Sequence, residues 1–167
     1  MTLLRVQDLT ISRTGSDAHI VRSANFSLES GQTLGIAGES GCGKSTLLLA
    51  LIGVVKQGLS LTGGQVHVMG QDLRLIAPEE MRRLRGQSVA MVPQSAAMAL
   101  TPTMRVGAQL AEAMAVHDAI PPDAIAAHTT KLFARVRLPE PDQIGARYPH
   151  ELSGGQMQRV AIAMALA

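Results

Sequence analysis

The sequence predicts an α/β fold, and three observations support this prediction. Hydrophobic residues make up 46% of the 167 residues but aromatic residues only 2%, so aliphatic side chains and methionine must form the core. Short apolar runs bounded by glycine alternate with apolar segments of helical length. Glycine-rich joints connect the runs to the segments that follow them, and strands joined to helices in this way are typical of domains with a parallel sheet.

Several short strands are predicted within the first 37 residues. Residues 3–6 and 9–11 are short apolar stretches, and the alternation at Phe26 and Leu28 indicates a further strand. Residues 33–37 form an apolar run between two glycines, which predicts a fully buried strand.

The middle of the chain is predicted to alternate between helix and strand. Residues 44–55 are almost entirely apolar and predict a buried helix. Adjacent glycines at 63–64 predict a turn, and the alternation over 65–69 predicts a strand after it. A short charged helix is expected over 78–85, because a proline stands at its start, and a buried strand over 89–92.

From residue 95 onwards the composition favours helices. Val106, Leu110 and Met114 have helical spacing, and prolines at 121–122 and 139–141 separate the helices. The last segment, residues 155–167, is apolar at helical spacing and predicts one more helix.

Composition argues against several classes of function. The net charge is only +2, so no nucleic-acid partner is expected. The single cysteine, Cys42, excludes a disulfide within the chain. No apolar run reaches about 18 residues, and no basic segment followed by an apolar one begins the chain. We therefore expect neither a membrane span nor a signal peptide, and a cytoplasmic location.

The strongest motif lies at residues 38–45, which match G-x-x-x-x-G-K-[ST] at every fixed position. Glycines let backbone N–H groups surround phosphate oxygens, and the N-terminus of the following helix adds a positive dipole. Lys44 would reach the β- and γ-phosphates, and Ser45 would be a ligand of Mg²⁺. A chance glycine-rich turn is disfavoured, because a predicted strand precedes the loop and a predicted helix follows it. The candidate nucleotide-binding residues are Gly38, Glu39, Ser40, Gly41, Cys42, Gly43, Lys44, Ser45 and Thr46.

A second glycine-rich motif, Leu-Ser-Gly-Gly-Gln, occupies residues 152–156 before the last apolar helix. Ser153 is suited to cap that helix, and Gly154 and Gly155 leave its first amides open. The motif therefore predicts a second anion site at a helix N-terminus. By itself it leaves open the alternative of a plain capped helix after a glycine turn.

Together these motifs resemble those of the ATP-binding subunits of ABC transporters, which are P-loop NTPases. The phosphate loop, the Val-Pro-Gln of residues 92–94 and the Leu-Ser-Gly-Gly-Gln signature follow each other in the family's order. The resemblance covers the whole chain and implies a RecA-like core with an N-terminal antiparallel β part and a helical insert, incomplete at the C-terminus. The implied partial domain divides into residues 1–94 (β part and core), 95–150 (helical insert) and 151–167 (signature and helix).

The resemblance also implies how ATP and Mg²⁺ are bound. In the family two ATPase domains meet head to tail. Ser153, Gly154, Gly155 and Gln156 would therefore bind the γ-phosphate of ATP held by a second ATPase domain, in a homo- or heterodimer. Gln94 would contact Mg²⁺ or the attacking water and would link the core to the insert.

Three less specific sequence patterns resemble those of the ATP-binding subunits of importers of dipeptides, oligopeptides and nickel. They are the Tyr-Pro-His-Glu of residues 148–151, the Gly-Glu-Ser of 38–40 and the stretch 102–107. The implied protein is the energy-coupling subunit of an importer. It would be held at the cytoplasmic face of the inner membrane by integral membrane permease subunits.

Two features depart from the family pattern. Arg13 stands where an aromatic residue would stack on adenine. The family's strand ending in Asp-Glu and its later histidine have no counterpart in these 167 residues, so a fragment is expected.

Two alternatives to the importer subunit stay open: a non-transport ABC ATPase, and a nucleotide-binding fragment without hydrolysis.

Overall fold

The computed structural model describes residues 1–116 and 120–167, which form two compact units, Met1–Arg82 and Arg83–Ala167. The first unit is built on a four-stranded antiparallel sheet with the strand order β2-β1-β3-β4. Its strands are β1 (Thr2–Arg13), β2 (His19–Glu29), β3 (Leu59–Val68) and β4 (Gln71–Asp72). Because side chains alternate along a strand, Val6 and Val66 are buried on one face while Arg5 and Gln7 are exposed on the other.

Helix α1 (Lys44–Leu51) lies between β2 and β3 in the chain, and α2 (Pro78–Gln87) follows β4. The helix predicted over 44–55 stops early because Gly53 adopts a φ of 70° and the N–H of Val54 donates to the carbonyl oxygen of Leu49 at 2.9 Å. The boundary between the two units falls inside α2, between Arg82 and Arg83. Further along α2, Arg85 and Gly86 depart from helical conformation.

The second unit contains α3 (Val106–Ala115), α4 (Ile125–Arg135) and α5 (Gly154–Ala165), joined by short 3₁₀ turns. The helical spacing of Val106, Leu110 and Met114 is confirmed, since all three are buried. The core of this unit consists of Leu100, Val106, Leu110, Met114, Phe133, Leu138, Ile144, Leu152, Val160 and Ala163. No helix among the described residues is both long and apolar enough to cross a membrane.

The sheet differs from the sequence prediction in its first strand and in the glycine pair. Residues 3–6 and 9–11 belong to one continuous strand, β1, which bulges at Asp8 (φ 48°). Gly64 lies inside β3 rather than in a turn, with a φ of 79°. A Cβ there would lie 2.4 Å from the Asp8 backbone, so the glycine is required where the bulge brings two strands together.

The two predicted parallel strands are wrong as secondary structure. Residues 33–37 are irregular, and residues 89–92 make only one isolated bridge, between Arg85 and Val89. Leu34 is 42% exposed and Val92 39%, so these runs are not buried either. A buried parallel strand needs a neighbouring strand on each side to form hydrogen bonds with its backbone N–H and C=O groups. The described strands pair only with one another.

Candidate nucleotide-binding site

The loop of residues 38–45 is held in a conformation that its glycines require. Gly38, Gly41 and Gly43 have φ angles of 154°, 85° and 96°. A Cβ on Gly43 would lie 2.7 Å from the carbonyl oxygen of Ile20 in β2, so the loop passes directly against that strand. The sheet therefore fixes the end of the loop from which α1 begins.

The ammonium group of Lys44 lies over the loop. Its Nζ donates to the carbonyl oxygens of Gly38 at 2.7 Å and Glu39 at 2.6 Å, and lies 3.5 Å from Cys42 Sγ. An ammonium has three N–H donors, so these three acceptors account for all of them. A phosphate oxygen would replace a neutral acceptor by a charged one, and charge-assisted hydrogen bonds are the stronger kind.

The N-terminus of α1 is open. Its N-cap Gly43 offers no side chain, no acidic residue lies in the first turn, and the N–H groups of Lys44, Ser45 and Thr46 donate to no acceptor among the described residues. Such free amides at a helix N-terminus bind anions. The Ser45 hydroxyl is exposed and also has no described hydrogen-bond partner, so it fits the oxygen ligand that Mg²⁺ requires.

The second motif starts α5 with a capping box. Ser153 Oγ accepts from the N–H of Gln156 at 3.3 Å, and Gln156 Oε1 accepts from the N–H of Ser153 at 2.9 Å. The capping role predicted for Ser153 is therefore confirmed. Gly154 and Gly155 are exposed, and a Cβ on either would meet nothing within 4 Å, so these positions leave space for a ligand.

Gln94 is exposed in the second unit and follows Pro93. The carbonyl oxygen of Pro93 accepts a hydrogen bond from Nε2 of Gln158 on α5 at 3.4 Å, so the segment that carries Gln94 is joined to the signature helix. Sequence reasoning missed Gln158, because the two partners are 65 residues apart and no local pattern connects them.

The residues near the predicted adenine position are also described. Arg13 is exposed at the end of β1, in the hairpin where its N–H donates to the Ala18 carbonyl oxygen at 3.0 Å. Tyr148 lies in the second unit instead. Its ring stacks on His150 with centroids 5.6 Å apart, and the guanidinium of Arg105 lies 5.8 Å from its centroid. Residues 38–46 therefore lie in the first unit, at the start of α1, whereas Gln94 and residues 153–156 lie in the second unit.

Comparison with known proteins identifies the family of the chain. A family model described as ABC transporter matches residues 21–167. The chain is 38% identical over 168 residues to the oligopeptide transport ATP-binding protein OppD of Bacillus subtilis, with 99% of this chain and 47% of that protein covered. It is 38% identical over 167 residues to the metal-staphylopine import system ATP-binding protein CntD of Staphylococcus aureus, with 100% of this chain and 61% of that protein covered. It is 37% identical to the dipeptide transport ATP-binding protein DppD of Bacillus subtilis, covering 98% and 50%.

Solved structures confirm the predicted cassette fold. The chain superposes with a TM-score of 0.80 and 25% identity on cbiO1 from Clostridium perfringens, described as part of the ABC transporter complex cbiONQ, covering 99% of this chain and 61% of that one. Its TM-score is 0.82, at 23% identity, with the dimeric structure of the ATP-binding cassette MJ0796 bound to ADP and phosphate. That superposition covers 98% of this chain and 69% of the MJ0796 chain. The chain spans 47% to 61% of the length of the three relatives above.

Proposed function

The chain belongs to the ABC transporter family, and on that premise we propose that it is the ATP-binding part of an importer's energy-coupling subunit. The observation that carries the proposal is the loop of residues 38–45. It joins three left-handed glycines, an ammonium group and an open helix N-terminus in one place. That combination suits the triphosphate of a nucleotide.

Each residue of the loop has a proposed role. The amides of residues 38–46 and the Lys44 ammonium bind the β- and γ-phosphates, with Lys44 exchanging its contacts to Gly38 and Glu39 for phosphate oxygens. Ser45 Oγ would hold Mg²⁺. The family resemblance gives Gln94 a contact to Mg²⁺ or to the attacking water. When bound, that ion neutralises charge on the β- and γ-phosphates.

The signature residues are proposed to act across a dimer. The open amides of Gly154 and Gly155, with Ser153 and Gln156, bind the γ-phosphate of a nucleotide held by a second ATPase domain, whether identical or not. The capping box supports this proposal because it fixes Ser153 without occupying the two glycines. Residues 95–150 would then transmit dimer closure to integral membrane permease subunits at the cytoplasmic face of the inner membrane.

The proposed solute is a peptide or nickel. Relatives named for oligopeptide, dipeptide and metal-staphylopine transport support a small chelating or peptide-like solute. Nickel itself rests on the resemblance of residues 148–151, 38–40 and 102–107 to that importer subfamily.

The proposal is tested by purifying a tagged chain from detergent-solubilised membranes of its source. We expect integral membrane subunits to co-purify, and Lys44→Ala to retain them while losing nucleotide. Recovery with ribosomes or DNA and without membrane subunits would favour a non-transport ATPase. Steady phosphate release from the purified protein, absent in Lys44→Ala, separates a hydrolysing subunit from a part that only binds nucleotide.

A further inference from the structure

The outer face of the antiparallel sheet carries an open cleft of about 400 Å³ that the nucleotide site does not use. Arg5 in β1 lies directly opposite His67 in β3, and Gln7 lies opposite Gln65. Side chains of cross-strand pairs lie next to each other on one face, so these four polar groups converge. The cleft is lined by Thr2, Arg5, Gln7, Gln65, His67 and Gly70, all within the first unit.

Two polar groups in this cleft lack partners in the described part of the chain. The Arg5 guanidinium, with five N–H donors, makes no hydrogen bond or ion pair there. Nδ1 of His67 is buried and also has no hydrogen-bond partner there.

Two acidic side chains lie beside residues that line the cleft, and both are engaged by other groups. Glu29 accepts a hydrogen bond from the Thr2 hydroxyl at 2.5 Å and forms an ion pair with the N-terminal ammonium at 3.1 Å. These contacts, more than the weaker attraction of Arg5, hold the pKa of Glu29 below its ordinary value. Asp72 in β4, directly opposite His67, accepts a hydrogen bond from the N–H of Arg74 at 2.9 Å. Among the described residues neither carboxylate forms an ion pair with Arg5, and neither lines the cleft.

We propose that this cleft binds a small oxyanion, a carboxylate or a phosphate. The planar guanidinium of Arg5 suits two parallel hydrogen bonds to such a group, and the amides of Gln7 and Gln65 add donors. The His67 ring lies beside them as the cross-strand partner of Arg5. The site lies on residues outside the phosphate loop. It therefore depends neither on ATP nor on a dimer.

NMR spectroscopy of the whole chain tests the proposal. Sodium succinate is titrated against sodium chloride at matched ionic strength, while the signals of the His67 ring and the Arg5 Nε–H are followed. We expect saturable shifts of both signals with succinate alone. Arg5→Gln should weaken the apparent affinity by about tenfold or more, because it removes the charge-assisted contacts. Arg22→Gln, an exposed change on β2, should leave the affinity unchanged.

Inorganic phosphate is titrated in a Lys44→Ala background, which weakens binding at the phosphate loop, and the same two signals at Arg5 and His67 report on the cleft. Saturation by phosphate, succinate or both supports the cleft and identifies which oxyanion it takes. Shifts that never saturate, that appear equally with chloride, or that persist in both Arg5→Gln and Gln65→Ala would overturn the proposal. Loss of ATP binding in Lys44→Ala is measured separately, so failure of the cleft and failure of the nucleotide site are distinguishable.

Discussion

Replacing Gly43 by alanine should destabilise the first unit clearly more than the same change at Gly41. Both residues have positive φ, 96° and 85°, which costs an alanine about 1–2 kcal/mol at either position. A Cβ at Gly43 would also lie 2.7 Å from the carbonyl oxygen of Ile20, whereas at Gly41 it would meet nothing within 4 Å. Overpacking of that kind adds about 1–3 kcal/mol. The expected loss is therefore about 2–5 kcal/mol for Gly43→Ala.

Urea unfolding followed by far-UV circular dichroism measures both variants, with the free energy of unfolding extrapolated to water. Gly41→Ala is the matched control, because it carries the conformational strain without the steric contact. Equal losses in the two variants would refute the inference that the loop is anchored against β2. A Gly43→Ala chain as stable as the parent would refute the strained conformation as well.

The remaining predictions concern the signature, the loop thiol and acid stability. Gly155→Ala should stabilise the chain by about 0.5–1 kcal/mol in urea, because alanine favours the helix and its Cβ meets nothing within 4 Å. It should also weaken ATP-dependent dimerisation in sedimentation experiments, and unchanged dimerisation would contradict the role in trans. Alkylation of the exposed Cys42 should block nucleotide binding and be slowed by Mg-ATP, so equal labelling rates with and without it would count against the loop. The hydrogen bond from the Thr2 hydroxyl is the largest of the effects that lower the pKa of Glu29 below its ordinary value of 4.5. The ionised Glu29 therefore stabilises the fold above pH 4.5, and this stabilisation is lost as the pH falls through the pKa of the folded protein. Thr2→Val should therefore reduce the acid dependence of the urea midpoint, and an unaltered dependence would be the contrary result.

The sequence was most informative where local chemistry decides the structure. The helix formed by Val106, Leu110 and Met114 and the cap at Ser153 were predicted correctly, since periodicity and capping act over a few residues. The loop conformation of residues 38–45 follows the same rule, because the motif places glycines where the structure has positive φ.

Strands were predicted less well because a strand depends on its neighbours. Residues 33–37 and 89–92 have the apolar composition of buried strands, yet nothing in the described chain pairs with them as a strand. The glycines at 63–64 were interpreted as a turn, although Gly64 accommodates the bulge opposite Asp8. Composition alone does not distinguish a turn from a bulge, since both use positive φ.

The candidate site also contains contacts that no sequence pattern reveals. The bonds from Lys44 to the carbonyl oxygens of Gly38 and Glu39 depend on the path of the loop, and the bond from Gln158 to Pro93 joins distant segments. The sequence singles out the candidate groups, whereas only the fold shows what holds them.

The central claim, that residues 38–45 bind the phosphates of ATP, is tested most directly by isothermal titration calorimetry with Mg-ATP. The parent chain is compared with Lys44→Ala, and with Lys56→Ala as an exposed control in the same unit. We predict saturable one-site binding that Lys44→Ala weakens by about tenfold or more, because it removes a charge-assisted contact, while Lys56→Ala binds like the parent. Equal affinity of the parent and Lys44→Ala, or no binding by the folded parent chain, would contradict the account.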